Sequence, residues 1–376
     1  MAYNLGVVGI GHWFERLHAG MVKTNEIRLL KIAGASPVES KLARLKGLGV
    51  EKENYYRVSG GKPIPGGFFD DLDLVHISDP NEFHADQTLQ SLSKGKITVT
   101  EKTFGATKKD FIRVIKYAET AGAENRLYLH LHYAHKILTI NLGKMLRAMV
   151  RKYGKVVATS ATFFEKENQN VDRRRLWIFE PKNGGIFMDW VHPFEIYYKG
   201  ALAKRFDLRW IKTYAANPSY DRKNPTAVHS HVDIAGPLFS TGVSADIRVA
   251  IGLGIAEQRK CVRFIFEEGQ CLDLEYINSE TEYLSPDRGI WTLRNGIGGE
   301  LIGSGTPSGP TPSDILVNDM LYLCRGKNPG FTIKDVVTIF EPQWKYQEIV
   351  KGSKLISDRE KIGKFVSEGL ANAIKE

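Results

Sequence analysis

The sequence predicts an α/β chain: a doubly wound parallel sheet in its first third, then an α+β half built on a hairpin-rich, mostly antiparallel sheet. Three observations predict this. Short apolar runs alternate with helical periodicity from residue 3 to about 132; a glycine pair separates the first run from the first helix; and beyond residue 132 the pattern changes to longer β-type runs joined by tight turns.

Tyr3 to Gly9 reads as a strand, followed by a glycine turn and a helix carrying Phe14, Leu17, Met21 and Val22 on one face. Ile27 to Ala35 is a second strand, and Ser36-Pro37 leads into a helix containing Leu42, Leu45 and Leu48. Ser59 to Gly67 is a Gly/Pro loop. Leu74 to Ile77 and Ile97 to Thr100 read as buried strands separated by a helix over Glu82 to Ser93. In Lys108 to Gly122 the residues Phe111, Val114, Ile115 and Ala118 recur at helical spacing, and Leu127 to Leu131 supplies the next strand. The expected domains are 1–132 and 133–376, with the C-terminal helices able to pack back on the first.

In the second half Lys155 to Phe164 is a long β-type run, and the opening strand-and-glycine pattern does not recur. Leu208 to Ala215, Val243 to Gly252, and Val262 to Phe266 paired with Leu272 to Ile277 across Glu267-Glu268-Gly269-Gln270 read as antiparallel strands. Arg294 to Pro310, with six glycines, reads as a mobile loop, and helices are expected around 313–325, 333–350 and 358–374.

Composition narrows the class of function. With 376 residues, 42% hydrophobic and 25% charged, the chain is an ordinary globular one, which excludes a mini-protein, a disordered tail or a fibre. An excess of Lys and Arg gives a net charge of +9, which favours anionic partners without naming one. Cys261, Cys271 and Cys324 form no C-x-x-C pair, so neither a disulfide framework nor a zinc ribbon is indicated. No secretory pattern and no 18-residue apolar window occur, so a cytoplasmic protein without membrane contact is expected.

The strongest local motif is Gly9-Ile10-Gly11, where glycines permit a tight turn and let a pyrophosphate approach a helix N-terminus. Expected cofactor contacts extend into His12, Trp13 and Phe14, the last standing where a third glycine is usual. At the end of the second strand no carboxylate is present to take a ribose 2′-hydroxyl. Ser36, with Lys41 and Arg44 beyond it, suits a 2′-phosphate instead, so NADP is expected ahead of NAD. Ser78-Asp79-Pro80-Asn81-Glu82-Phe83-His84 and Glu101-Lys102-Thr103 each follow a buried strand, so Asn81 and Lys102 should flank one crevice off the carboxyl ends of the sheet. A lysine there can polarise a substrate hydroxyl or take part in proton transfer.

These residues resemble the Gfo/Idh/MocA oxidoreductase family over essentially the whole chain. The matching segments are the glycine turn, Pro80-Asn81 with His84, Glu101-Lys102-Thr103, and Asn183-Gly184-Gly185-Ile186-Phe187-Met188-Asp189-Trp190-Val191-His192. The chain departs from the family pattern at Phe14, at Thr103 in place of proline, at Asn183 in place of glycine, and in its D-x-x-H rather than D-x-x-x-H spacing. The resemblance implies a Rossmann-type first domain that binds a dinucleotide and a second domain, with a large open sheet, that binds substrate and forms a dimer or tetramer. It also implies Lys102 as catalytic lysine, Asp189 as the carboxylate and His192 as acid/base histidine. On a helix, Asp189 and His192 at i, i+3 share a face; otherwise His192 is a core histidine.

Ser78, Pro80, Asn81, His84, Glu101 and Lys102 are expected at the cofactor. His132 is expected near substrate, because it follows the Leu127 to Leu131 strand, and no metal is expected from the H-x-H pairs His130/His132 and His229/His231. Lys144 to Lys182 carries ten basic and four acidic residues, including Arg173-Arg174-Arg175 before Trp177. Arg175 and Trp177 there suit the mouth of a site for an anionic sugar such as a phosphate or uronate. No aromatic-interleaved basic stripe for nucleic acid is present. The expected activity is hydride transfer between a sugar or polyol carbinol and NADP. The alternatives are a dinucleotide-dependent glycosidase of the same fold and a nucleotide-binding sensor whose site has drifted.

Overall fold

The computed structural model describes residues 2–58, 62–166, 191–201, 203–206, 231–240, 243–255, 259–277 and 285–350. Its contacts divide the chain into one unit of Met1–His132, Ser279–Pro286 and Pro310–Val336, and another of Tyr133–Asn278, Asp287–Gly309 and Val337–Glu376.

In the first unit six parallel strands, β1 (Tyr3–Val8), β2 (Ile27–Gly34), β3 (Tyr55–Arg57), β4 (Leu74–Ile77), β5 (Ile97–Glu101) and β6 (Leu127–His130), lie in the order β3-β2-β1-β4-β5-β6. This is the order of a doubly wound Rossmann-type sheet, in which the chain reverses direction between β1 and β4. The helices are α1 (His12–Met21), α2 (Leu42–Gly47), α3 (Asn81–Ser93) and α4 (Lys108–Thr120). Strand β3 was not foreseen, since its three residues are too few to show a period. After it, Phe68 and Phe69 pack edge to face at 5.2 Å and enter a core with Val8, Ala33, Val75 and Ile77.

Helix α4 buries the four apolar residues its periodicity marked. Helix α3 docks differently. Thr88 meets Thr100 at 2.9 Å and Ser91 meets Thr98 at 2.8 Å, all four buried, so hydroxyl pairs rather than an apolar stripe join it to β5. The helix Pro312–Cys324 also belongs to this unit. It begins at a Thr311/Asp314 capping box with Pro312 in the first turn, and it packs against α1. Lys23 donates to Asp314 at 2.9 Å across that contact.

The second unit is an eight-stranded sheet in the order β14-β13-β12-β11-β7-β10-β9-β8. Its strands are β7 (Val156–Lys166), β8 (Ala203–Phe206), β9 (His231–Ser240), β10 (Val243–Ile255), β11 (Arg259–Phe266), β12 (Cys271–Ile277), β13 (Arg288–Arg294) and β14 (Leu301–Gly305). All neighbours are antiparallel except β7 and β10. The foreseen hairpin is β11–β12, and across it Arg263 grips Asp273 with two bonds of 2.6 and 2.8 Å. Helix α5 (Ile137–Tyr153) and the helix Val191–Lys199 belong to this unit too.

One expectation is corrected here. Arg294 to Pro310 is not a loop throughout, because Leu301–Gly305 pairs with β13 as an edge strand. Gly305 of that strand serves packing: a Cβ there would stand 2.6 Å from the Trp291 indole nitrogen, so the bare backbone makes room for that ring. The expected strand Leu208 to Ala215 and the helix over 358–374 lie outside the described residues.

Candidate functional site

In the first unit the motif residues converge at the carboxyl ends of β1, β4 and β5. Gly9 has φ +89°, and a Cβ there would stand 2.7 Å from the Asp79 amide nitrogen and 2.8 Å from the Ser78 carbonyl carbon. Only glycine fits both the backbone conformation and the approach of the β4 loop. The Ser78 hydroxyl donates to the Gly9 carbonyl at 3.0 Å, and the Ser78 amide donates to Val8 at 2.9 Å. Gly11 is the N-cap of α1, with ordinary extended backbone and no side chain capping it. A Cβ at Gly11 would meet nothing within 4 Å, so the turn has open space where a phosphate group would approach the helix amides.

Phe14 is 1% exposed and packs in the core over His18, with ring centroids 6.2 Å apart. Its ring is therefore part of the core under the turn. The side chains of His12, Trp13 and Lys41 lie outside what is described. At the end of β2 the Ser36 carbonyl accepts the Tyr55 hydroxyl at 2.8 Å, which ties that corner to β3.

The two motifs after β4 and β5 are joined by one side chain. His84, fully buried in the first turn of α3, has Nδ1 2.6 Å from the Thr103 carbonyl and Nε2 2.5 Å from the Asp79 carbonyl. Burial, the larger influence, holds the His84 pKa below the ordinary histidine value, while the two carbonyls pull it up. The ring therefore clamps the Ser78–Pro80 turn to the Lys102–Thr103 turn, whose connecting peptide is cis. Asn81 and Lys102 are both buried at this edge. Asp79 accepts from Gln87 at 2.7 Å, and burial raises its carboxyl above the usual range.

Glu101 faces the other way, into a buried polar cluster. Register pairs Glu101 with His130, and His76 with Val99, so His76, Glu101 and His130 share one sheet face. His76 Nε2 donates to Glu101 at 3.3 Å, and His130 meets Asp319 of the helix Pro312–Cys324 at 3.1 Å. Burial pushes the Glu101 carboxyl up, but the His76 hydrogen bond and the His130 and Arg16 charges outweigh it and hold it below the usual glutamate value. Glu101 is thus a buried carboxylate, one oxygen of which is held by His76. His132 stacks on His130 at 6.4 Å.

In the second unit His192 lies in the first turn of the helix Val191–Lys199, nearly every residue of which is buried. Its Nδ1 is 2.5 Å from Glu195 Oε1, and the other oxygen of Glu195 accepts the Ala134 amide at 3.1 Å. The Tyr133 ring lies against the imidazole, centroids 4.5 Å apart. Lys136 Nζ sits 5.1 Å over that same ring and donates to Asp287 at 2.9 Å, while the second oxygen of Asp287 receives the amide of Ile137 at the start of α5. Tyr197, one turn further on, bonds Thr159 of β7 at 2.9 Å and fastens the helix to the sheet. Sequence reading missed Glu195. The signal was its i, i+3 spacing from His192, the same relation sought between Asp189 and His192. Asp189, Arg175 and Trp177 lie outside the described residues.

Among the described residues no group of three metal-ligating side chains occurs, and no helix is long and apolar enough to cross a membrane. The three cysteines are free thiols. Burial pushes Cys261 up to about 12, so it is no nucleophile near neutral pH.

No family model and no curated relative matches the sequence. Solved structures match over nearly its whole length. The aldose-aldose oxidoreductase of Caulobacter crescentus, crystallised with glycerol, has a TM-score of 0.66 at 15% identity, covering 92% of this chain and 98% of its own. KijD10, a 3-ketoreductase from Actinomadura kijaniata crystallised with NADP and TDP-benzene, has a TM-score of 0.70 at 15% identity, covering 95% and 100%. Myo-inositol 2-dehydrogenase from Lactobacillus plantarum has a TM-score of 0.66 at 16% identity, covering 93% and 97%. At such identity the likeness is one of fold, and at that level the resemblance in the motifs holds: the chain has the fold of the Gfo/Idh/MocA-type oxidoreductases.

Proposed function

We propose that this chain is an NAD(P)-dependent oxidoreductase acting on a sugar or polyol carbinol, with NADP preferred. The observation that carries the reading is the convergence of the Gly9 turn, Asn81 and Lys102 at one edge of the parallel sheet, with His84 binding their loops together. The residues fit a dinucleotide: among the described residues a Cβ at Gly11 would meet nothing within 4 Å, and no side chain hydrogen-bonds to cap the amide end of α1. The NADP bound to the 3-ketoreductase of the same fold supports that cofactor, and the absence of a carboxylate at the end of β2 supports NADP ahead of NAD.

A bound nicotinamide supplies the acceptor or donor of the hydride, the difficult part of the chemistry. The protein has to hold the carbinol and move its hydroxyl proton. Lys102 polarises the hydroxyl with its ammonium group. His192 takes the hydroxyl proton on oxidation and returns it on reduction. Asp189 binds a neighbouring hydroxyl, and Arg175, Trp177 and His132 contribute to the substrate pocket, with the basic segment favouring an anionic sugar.

The test is to measure NADP+ and NAD+ binding by calorimetry and then follow cofactor reduction across neutral, phosphorylated and acidic sugars and polyols. Tighter NADP+ binding and reduction that falls by about 10²–10⁴-fold in Lys102→Ala, with cofactor binding retained, is the expected result. Absence of dinucleotide binding overturns the proposal. Binding with no reduction of any panel member moves the chain to the glycosidase or sensor class.

A further inference from the structure

We propose that Asp79 binds the dinucleotide as a carboxylic acid: its Oδ1 takes one proton from solvent as the cofactor enters and donates that hydrogen to the cofactor, so that affinity falls as pH rises. The proposal rests on the dinucleotide reading above and concerns the first unit alone.

The Gly9–Gly11 turn leads into the amide end of α1, which attracts negative charge, and Asp79 follows β4, the strand beside β1. A Cβ on Gly9 would stand 2.7 Å from Asp79 Oδ1, so that oxygen rests on the turn itself. A carboxyl group is thus built into a turn that suits a pyrophosphate. Ionised, it opposes the negative charge of the cofactor; protonated, it becomes a hydrogen-bond donor to it.

The two oxygens are not equivalent. Gln87 donates to Oδ2 at 2.7 Å, whereas among the described residues no donor reaches Oδ1. A proton therefore goes to Oδ1, on the turn, and Oδ2 keeps its bond to Gln87. Burial favours that state already in the free protein by raising the carboxyl, while the Gln87 bond and, when protonated, His84 oppose it. Two titratable groups face Asp79 from other elements. His84 of α3, whose Nε2 meets the Asp79 carbonyl, is held below its ordinary value by burial and feels the Glu101 charge of β5, so near neutral pH it offers no counter-charge. Tyr55 of β3 is held above its ordinary value by burial and then by Asp79, with Arg57 opposing. A pyrophosphate on the turn adds negative charge, raises the Asp79 carboxyl further and draws the proton in.

The experiment is titration calorimetry of NADP+ on the full chain from about pH 5 to about pH 8, wild type against Asp79→Asn. The asparagine has an acceptor for Gln87 and an NH2 donor for the turn, so it mimics the protonated acid at every pH. The cofactor's own 2′-phosphate titrates near about pH 6, but it and His84 are common to both titrations, so the ratio of the two affinities isolates Asp79. At the upper end of the range Asp79→Asn is expected to bind about 3–10-fold tighter, an advantage that shrinks toward the lower end. Wild type is also expected to take up protons on binding that the variant does not, read from the heat in buffers of different ionisation enthalpy. A ratio that does not change with pH overturns the proposal. Weaker binding by Asp79→Asn at the upper end also overturns it, and would make the carboxylate an acceptor for a ribose hydroxyl. Where the variant fails to fold, infrared difference spectra of wild type over the same range decide: NADP+ is expected to add a protonated-carboxyl band, and its absence throughout overturns the proposal. A wild type that binds no NADP+ ends the dinucleotide reading and this proposal together, whereas binding with a constant ratio ends this proposal alone.

Discussion

Replacing the two glycines of the β1–α1 turn separately by alanine should split stability from nucleotide binding. In Gly9→Ala the new residue sits at φ +89°, a strain of about 1–2 kcal/mol for an L-residue. Its Cβ lies 2.7 Å from the Asp79 amide nitrogen and 2.8 Å from the Ser78 carbonyl carbon. These are backbone atoms held by the Ser78 bonds to β1, so they cannot rotate away, and overpacking adds about 1–3 kcal/mol. The total is about 2–5 kcal/mol, and a loss of about 3 kcal/mol lowers the melting point of a unit this size by roughly 6–12 °C. Gly11→Ala sits at φ −84° with nothing within 4 Å, so its stability should stay within about 1 kcal/mol of wild type. Its methyl group occupies the open space of the turn, and NADP+ affinity should fall by about tenfold or more. Scanning calorimetry and titration calorimetry read the two effects. A Gly9→Ala protein that melts like wild type would refute the packing argument, and undiminished NADP+ affinity in Gly11→Ala would refute the placement of the pyrophosphate.

Two further outcomes follow from buried groups in the first unit. Because burial lowers the His84 pKa below 6.5, the folded state takes up that proton less readily than the unfolded chain, so stability is complete above about pH 6.5 and declines as pH falls toward the folded value. His84→Gln should lower stability by about 1–3 kcal/mol near neutrality, since the amide replaces the rigid ring that spans the Thr103 and Asp79 carbonyls and does not fill its buried site. The variant should also lose less of its remaining stability between about pH 7 and pH 5 than wild type does in urea titrations; an identical decline sinks the assignment to His84. Phe14→Gly restores the missing third glycine of the motif, yet it empties a core position that is 1% exposed. A loss of about 3–5 kcal/mol in chemical denaturation is expected, and a change under about 1 kcal/mol would show that the ring is not core packing.

Several elements were plain from sequence for one reason: apolar periodicity reports which face a segment buries. Helix α4 and strands β4 and β5 appear where the pattern marks them, and β11–β12 forms across the expected turn. Where packing is polar or the segment is very short, the pattern is silent. Helix α3 uses Thr88 and Ser91 against β5, and β3 has three residues. Within Arg294 to Pro310, Gly296 and Gly298 turn the chain at positive φ while Gly303 and Gly305 admit the Trp291 ring, and the two kinds of glycine look the same in a sequence.

The order of the motifs along the chain determined the class of fold and named Gly9, Asn81 and Lys102, and the family resemblance added His192. Tertiary structure alone decided what each of these groups meets. His84 finds Thr103 and Asp79, His130 finds Asp319 at a separation of 189 residues, and Glu195 finds both His192 and the Ala134 amide. Periodicity is a local consequence of burying one face, so it survives in the sequence. The partner of a buried charge is set by which strands lie side by side and which helix covers them, and a carboxylate three residues beyond a histidine acquires its meaning only when a distant amide fills its second oxygen.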